Sequence, residues 1–308
     1  MGGKIALAGA STGLGASFVD ALVEKNVTDF VVLSRKASED VRKIAVDYND
    51  VESLQRVLEE YQIETVVSTI AIDTDDSGQA QMNLIAAAEQ ASCTKRFIPS
   101  EFGAIYQEDQ LDFAPVFRWK FKAKAALEAS NLEYTLVSNS LFLDYWCPPS
   151  IPTRLTRAPP MLLDLACRVA TVPGDGNTPM VLTHTRDVAR YTVALLGIPK
   201  WVTTRYTIIA NRLTLNEAVK MAEEILGEPM KVYYDSVEDL AQGKVTMTPT
   251  YEKAIKGTPR EKPVTYAVAM ASLYIHNGHN DLPTEHNLVD MFPDIKPLTV
   301  REVIEAWR

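Results

Sequence analysis

Cysteine and histidine are both scarce in this sequence. The chain of 308 residues contains three cysteines, Cys93, Cys147 and Cys167, and four histidines. An odd number of cysteines without the paired spacing of zinc ligands argues against a disulfide framework and against a cysteine-based metal site. We interpret the cysteines as reduced packing residues, which is typical of a cytoplasmic protein. The histidines form no recognisable ligand set either, so no metal is predicted.

Long hydrophobic runs and an excess of basic residues are also missing. No apolar stretch approaches the roughly 20 residues of a membrane-spanning helix, and the chain enters its first predicted strand too early to leave room for a secretion signal. Its 31 basic residues are outnumbered by 40 acidic ones, for a formal net charge of -9. Nucleic acid is therefore not an expected partner, because phosphate binding requires a basic surface. A soluble, cytoplasmic protein is predicted.

The most informative stretch is a glycine-rich loop near the N-terminus. Residues 5–8 predict a buried parallel strand, and Gly9, Gly13 and Gly15 follow it. Gly9 permits a tight turn, Gly13 lets a ligand approach the backbone, and Gly15 lets a helix pack closely on the sheet. The helix after the loop has apolar residues at helical spacing: Phe18, Leu22 and Val23. Its N-terminal N–H groups and dipole suit an anion such as a pyrophosphate.

Strand and helix segments alternate through the first half of the chain. The predicted strands are residues 5–8, 30–36, 43–47, 64–69, 95–99 and 134–138. The predicted helices are one directly after the glycine loop and residues 51–61, 79–90 and 117–130. This alternation is typical of an α/β protein with a doubly wound parallel sheet and right-handed crossovers.

The regular alternation breaks near residue 150, where prolines cluster. We therefore predict a dinucleotide-binding domain over residues 1–150 and a smaller, intertwined substrate-binding region over residues 151–308. A strand near 203–210 is expected to rejoin the sheet. Other predictions for the second half are a hairpin-like turn at 171–179, a helix at 185–196, a helix capped by Thr214 and a final helix at 299–307.

A basic pair follows the second predicted strand. In a dinucleotide-binding fold this position faces the adenosine ribose, where an acidic residue suits NAD and a basic residue suits the 2′-phosphate of NADP. The chain has Ser34, Arg35 and Lys36 here, with no carboxylate before Glu39. Arginine can bind a phosphate through two hydrogen bonds, and lysine adds a point charge. These residues predict NADPH binding, and the alternative is a solvated basic turn.

Residues 95–103, KRFIPSEFG, carry a family resemblance. They match the K-R-F-x-P-S-E-F-G signature of the isoflavone reductase-like proteins, a branch of the NmrA-like atypical short-chain dehydrogenases. The resemblance continues through residues 46–54, 120–135 and 139–146, and it covers residues 4–146 well. It implies a Rossmann-type domain, NADPH, and reduction of a small, often aromatic, metabolite.

The resemblance also implies which residues form the site. The register of the family's catalytic lysine falls on Lys120, and a buried lysine with a lowered pKa can act as general acid or base. The alternative is a solvated face of a lysine-rich helix. The implied cofactor-binding residues are Gly9, Ser11, Thr12, Gly13, Leu14, Gly15, Ser34, Arg35, Lys36, Thr69, Ile70, Lys120, Asn139 and Phe142. The implied substrate-binding residues are Glu101, Phe102, Phe142, Tyr145 and Trp146. For Glu101 the alternative is a role in holding its loop through backbone N–H groups, and for Tyr145 and Trp146 it is core packing.

Two features depart from the patterns of related dehydrogenases. The middle glycine of the loop, Gly13, lies one position later than in the family's usual G-x-T-G-x-x-G. A Tyr-x-x-x-Lys motif is absent, and Tyr106 is too far along the chain from Lys120 to supply it. A Ser–Tyr–Lys mechanism is therefore not expected.

Together these observations predict an NADPH-dependent reductase of a small, conjugated or aromatic metabolite, with Lys120 as the proton-transferring group. The expected assembly is a monomer or a homodimer. Two alternatives stay open: an NmrA-like redox sensor that binds NADP without catalysis, and a redox-neutral isomerase or cyclase that uses the same pocket.

Overall fold

A six-stranded parallel sheet forms the centre of the fold. The computed structural model describes residues 3–156 and 159–308, so the first two residues of the predicted 1–150 domain lie outside the described part. The strands are β1 (Lys4–Ala8), β2 (Phe30–Ser34), β3 (Lys43–Ala45), β4 (Ile63–Ser68), β5 (Arg96–Ile98) and β6 (Glu133–Tyr134). They lie in the order β3-β2-β1-β4-β5-β6, and every pair is parallel. This order confirms the predicted Rossmann-type doubly wound sheet.

Helices cover both faces of this sheet. They are α1 (Gly13–Glu24), α2 (Val51–Glu60), α3 (Asp75–Gln90), α4 (Arg118–Glu128) and α5 (Thr185–Leu196). Successive side chains of a strand point to opposite faces, and accordingly Ile5 and Leu7 of β1 pack with α1 and α5 while Ala6 and Ala8 pack with α2, α3 and α4. Apolar residues on both faces exclude water from the sheet, which is the main source of its stability.

The first helix differs from the prediction at one position. Phe18 and Leu22 are fully buried, whereas Val23 is 52% exposed. Val23 follows Phe18 by five positions, which rotates it away from the apolar face of a helix with 3.6 residues per turn.

Beyond β6 the chain contributes short strands and further helices. The strands are β7 (Leu136–Ser138), β8 (Leu141–Phe142), β9 (Leu163–Asp164), β10 (Val169–Pro173), β11 (Met180–Thr183), β12 (Arg205–Thr207), β13 (Asn211–Leu213) and β14 (Lys231–Asp235). The helices are α6 (Leu215–Leu226), α7 (Val237–Ala241), α8 (Pro249–Ile255), α9 (Glu261–His276), α10 (Leu288–Met291) and α11 (Val300–Glu305). Short 3-10 helices lie at Glu108–Asp112, Pro115–Phe117 and Leu143–Trp146.

The two halves of the chain share sheets. β12 pairs in parallel with β7, which continues β6 after one residue, and β8 pairs with β11. The predicted division near residue 150 stays a prediction. Thr214 caps α6 by accepting a hydrogen bond from the backbone N–H of Glu217, as the sequence predicts.

The predicted hairpin-like turn at residues 171–179 is wrong. β10 lies between β14 and β9, whereas β11 lies between β13 and β8 in another sheet. Gly174 and Gly176 have positive φ angles of 60° and 74° and turn the chain out of β10. Since both edges of β10 are already paired, the segment after the turn cannot pair with it to form a hairpin.

Arg96 joins the sheet to the segment that follows α5. Its guanidinium lies 3.8 Å from the Trp201 ring centroid, donates to the carbonyl oxygens of Leu196 at 3.2 Å and Ile198 at 3.0 Å, and lies 3.1 Å from the Glu133 carboxylate. Burial lowers its pKa and Glu133 opposes that shift. The arginine of the KRF motif therefore has a structural role.

We expect Arg96→Met to lower the free energy of unfolding by about 2–4 kcal/mol, because it leaves two carbonyls and a half-buried carboxylate without their partner. Urea denaturation followed by circular dichroism measures the change. Arg56→Met on the exposed face of α2 is the matched control, with an expected change within about 0.5 kcal/mol. An Arg96→Met protein as stable as that control would contradict the structural role.

Candidate active site

A cleft of about 750 Å³ opens at the carboxyl ends of the central strands. Ligands of open α/β sheets bind at this edge. The cleft brings together six of the predicted cofactor-binding residues: Gly9, Ser11, Thr12, Ser34, Arg35 and Ile70. Arg35 is the one cationic side chain that lines the cleft within residues 3–156 and 159–308, and Asp73 and Asp76 lie on its wall.

Several residues of the cleft were not found from the sequence. They are Leu33, Tyr48, Asn49, Asp73, Thr74, Asp76, Ser77 and Ala80. Five of them surround the start of α3, which begins at Asp75 and not near residue 79 as predicted. Thr74 caps this helix through the N–H of Ser77. A threonine followed by two aspartates is a helix-start signal that could have located this wall.

The glycine loop packs tightly against the end of β4. Gly9 has a φ of 76°, and a Cβ there would lie 2.6 Å from the Ile70 nitrogen. A Cβ at Gly15 would collide with the Thr69 hydroxyl and the Gly9 carbonyl, so the close packing predicted for Gly15 is confirmed. Thr69 donates its hydroxyl to the Ala8 carbonyl at 2.7 Å, which joins the ends of β1 and β4.

Residues 152–155, which we call the strap, lie across the start of α1. The Gly13 N–H donates to the Arg154 carbonyl at 3.1 Å. The Arg154 guanidinium binds both carboxylate oxygens of Asp20 at 2.7 and 2.8 Å, and Thr153 donates its hydroxyl to the buried Asp144. One of the amides that an anion would use is therefore bonded to the protein's own backbone.

Lys120 is buried beside the loop that follows β5. Only 8% of the residue is exposed, and its Nζ donates to the carbonyls of Ser100 at 2.8 Å and Glu101 at 3.4 Å. Burial lowers the pKa of Lys120, the Glu101 carboxylate opposes this shift and Arg205 adds to it, and together they bring the pKa to about 8. A lysine with this pKa exchanges a proton near neutral pH. Lys124, one turn further along α4, is exposed and forms an ion pair with Glu128 at 3.6 Å.

The Glu101 carboxylate is held by a residue from the second half of the chain. Arg205 of β12 lies 3.4 Å from Glu101 Oε1 and donates to the Ser138 hydroxyl at 2.5 Å. The structure does not contain the alternative predicted for Glu101, in which backbone N–H groups of its own loop would donate to the carboxylate. The carboxylate is paired with an arginine because β12 brings Arg205 alongside β7.

A second cavity of about 460 Å³ lies beyond Tyr145. Its wall contains Tyr145 and Trp146 together with four prolines and Trp307. Trp146 is only 2% exposed, and its indole N–H donates to the Met161 carbonyl at 2.9 Å, so it also contributes to the core. Most of its lining is apolar or aromatic, although Asp144 and Asp164 also contribute to the wall, and no cationic side chain of the described residues lines it.

Other predicted site residues take structural positions or lie apart from the two cavities. Phe102 packs edge-on against Phe18 at 5.5 Å, and Phe142 lies 6.5 Å from Tyr145. Lys36 is exposed and does not line the cleft, and Leu14 packs on the core beneath α1. The buried amide oxygen of Asn139 has no hydrogen-bond partner in the part of the chain that the structure describes, which leaves it free to accept a donor from a ligand.

Neither a metal-ligand cluster nor a helix suited to cross a membrane is present within residues 3–156 and 159–308. No group of three or more His, Cys, Asp or Glu side chains is placed to hold a metal. No described helix combines the length and apolar character needed to cross a bilayer. The cytoplasmic location and the oligomeric state stay predictions.

Comparison with known proteins places this architecture in a family. The model of the NmrA-like family matches residues 1–274. Oxidoreductase BOA1 of Botryotinia fuckeliana is 37% identical over 231 residues, which cover 73% of this chain and 76% of that protein. Phenylcoumaran benzylic ether reductase TP7 of Nicotiana tabacum is 27% identical over 266 residues, with 84% and 79% covered.

A solved structure shows the same fold. The complex of leucoanthocyanidin reductase with NADPH from Vitis vinifera superposes with a TM-score of 0.74 at 19% identity, and the match covers 99% of both chains. Together these matches confirm the predicted isoflavone reductase-like resemblance and the prediction of an oxidoreductase. The chain belongs to the NmrA-like family.

Proposed function

We propose that this protein is an NADPH-dependent reductase of a small aromatic or conjugated metabolite, with Lys120 as the general acid. The observation that carries the proposal is the buried Lys120 ammonium, held by two backbone carbonyls at the carboxyl edge of the sheet. A lysine with a purely structural role is usually exposed or paired with a carboxylate. Lys120 is neither, because it is buried and the nearby Glu101 carboxylate is bound by Arg205.

The cleft fits NADPH by the chemistry of its walls. Gly9, Ser11 and Thr12 lead into the N-terminus of α1, where N–H groups favour a pyrophosphate, although that of Gly13 is bonded to the strap. Arg35, at the end of β2, offers a planar cation to a 2′-phosphate. The NADPH in the Vitis vinifera complex supports this choice of cofactor. When bound, NADPH supplies the hydride.

The protein's own residues handle the proton and exclude water. As an electron-poor carbon of the substrate receives hydride, negative charge develops on the conjugated atoms, and the Lys120 ammonium donates the balancing proton. The neighbouring cavity with Tyr145 and Trp146 provides an apolar, aromatic wall for a flat substrate. The reductase named for a phenylcoumaran benzylic ether supports an aromatic substrate class.

Lys120→Met is expected to lower kcat by about 10²- to 10⁴-fold, the usual contribution of a general acid. The Kd for NADPH should be nearly unchanged, because Lys120, although in the implied cofactor-binding set, does not line the cleft. NADPH oxidation is measured with a conjugated aromatic substrate that the unmodified protein reduces. Lys124→Met, one turn away on α4, is the matched control and should keep full activity. Full turnover by Lys120→Met would disprove the catalytic role. Substrate conversion without NADPH oxidation would favour the redox-neutral alternative, and tight NADPH binding without any conversion would favour the sensor.

Arg35→Ser should weaken NADPH binding by at least about tenfold and leave NADH binding within about twofold, because an arginine–phosphate contact is charge-assisted and only NADPH carries the 2′-phosphate. Isothermal titration with both nucleotides measures the difference. Lys36→Ser, at the neighbouring exposed position, is the control and should have a smaller effect. Equal weakening for both nucleotides would rule out the assignment of Arg35 to the 2′-phosphate.

Arg154→Ala should tighten NADPH binding about two- to fivefold, because the strap loses the exposed ion pair that holds it across the Gly13 amide. Arg212→Ala, which also removes one arginine from an exposed aspartate pair, controls for net charge. Weaker binding by Arg154→Ala than by Arg212→Ala would instead mean that the strap helps to hold the cofactor.

A further inference from the structure

Tyr106 and Lys120 meet in space although they are distant in the sequence. Tyr106 precedes Lys120 by 14 positions, far from the four of a Tyr-x-x-x-Lys motif. In the folded chain the Lys120 Nζ lies over the Tyr106 ring, 4.4 Å from its centroid. The loop that follows β5 brings the ring beneath α4, so a pair that spacing along the sequence excludes is formed by the fold.

Apart from the Tyr106 ring, few groups stabilise the Lys120 ammonium. Its hydrogen bonds reach the carbonyls of Ser100 and Glu101, which are neutral acceptors. The charged groups that face it are the Glu101 carboxylate, from the same loop, and the Arg205 guanidinium, from β12. These two groups are 3.4 Å apart and largely compensate each other. An aromatic face within about 6 Å attracts a cation most strongly where water is excluded.

Tyr106 is itself held rigidly and stays neutral. Its ring packs edge-on against Phe117 at 4.6 Å, and its hydroxyl rests against Gly103, where any Cβ would collide with it. Burial raises the pKa of Tyr106, and the nearby Glu101 and Tyr145 add to the shift. Because the phenol stays protonated, Tyr106 acts on the lysine through its ring and not as a phenolate counter-ion.

We infer that Tyr106 is a positioning residue of the proposed reaction, whose ring holds the Lys120 ammonium in place and favours its charged, proton-donating form. This inference rests on the proposed function for its role in turnover. The contact between the ring and the ammonium exists independently of it.

The test measures the pKa of Lys120 directly by NMR titration of protein labelled with ¹³C and ¹⁵N in lysine, for Tyr106→Phe and Tyr106→Leu. The ring stabilises the charged lysine, so its loss in Tyr106→Leu should lower the pKa of Lys120 by about one pH unit. Tyr106→Phe keeps the ring and should match the unmodified protein. If Tyr106→Leu does not fold, Tyr106→Met serves as the ring-free variant.

Activity supplies the second readout. Charged lysine is the proton donor, so kcat/KM falls as pH rises through the pKa of Lys120, and the fall should begin at lower pH in Tyr106→Leu. Tyr61→Leu removes a half-buried ring near Lys4 and should change neither measurement.

The inference is overturned if the ring-free variant and the unmodified protein have the same Lys120 pKa, or if Tyr106→Phe shifts it as much as Tyr106→Leu. A shifted pKa in a protein that never oxidises NADPH would overturn the proposed function and leave the contact between ring and ammonium supported.

Discussion

Burial of a lysine ammonium is the constraint on which the site depends. Transfer of a charge out of water is costly unless hydrogen bonds and nearby charges replace its hydration. Here the replacement comes from two carbonyls at the start of the loop after β5, an aromatic ring from the same loop and a glutamate paired with Arg205. Because these groups compensate the ammonium only in part, the pKa of Lys120 falls to about 8, a range in which it exchanges protons readily.

Keeping those groups in place requires parts of the chain that are far apart in the sequence. The Gly103 carbonyl accepts hydrogen bonds from the N–H groups of Asn139 at 3.0 Å and Ser140 at 2.9 Å, which joins the loop after β5 to the end of β7. The Ser100 N–H donates to the Gln81 amide oxygen of α3 at 2.8 Å. Arg205 arrives on β12, the strand that pairs with β7. A substitution that shifts β12 would therefore change the charge balance around Lys120 without touching it.

Local patterns predicted the parts of the fold that depend on local physics. The order of strands and helices around the main sheet, the Thr214 cap and the cleft residues Gly9 and Arg35 follow from periodicity, capping chemistry and position at a strand end. The true start of α3 was missed because Thr74, Asp75 and Asp76 precede the apolar periodicity. The predicted hairpin failed because strand pairing depends on which edges are free, and no short segment of sequence contains that information.

The Tyr106–Lys120 contact is another feature that a short segment of sequence cannot predict. A motif search tests spacing along the chain, whereas proton transfer depends on distances in space. Lys120 was found because it lies in a segment with a family register. Tyr106 was set aside because its spacing matched no motif, although the fold places its ring under the lysine. Arg205 carried no signal at all, since it lies on a short strand in the half where the resemblance is weakest.

The strap connects the glycine loop with the second cavity. Thr153 and Leu155 line that cavity, while the carbonyl of Arg154 between them accepts the Gly13 N–H at the glycine loop. One short segment therefore forms a wall of the apolar cavity and covers an amide at the N-terminus of α1. A ligand that displaces the strap from Gly13 also moves the side chains that shape the cavity, and occupancy of the cavity fixes the strap in return. Such coupling is reciprocal by thermodynamic necessity. Under the proposed function, the strap therefore links cofactor entry at the glycine loop to substrate fit in the apolar cavity.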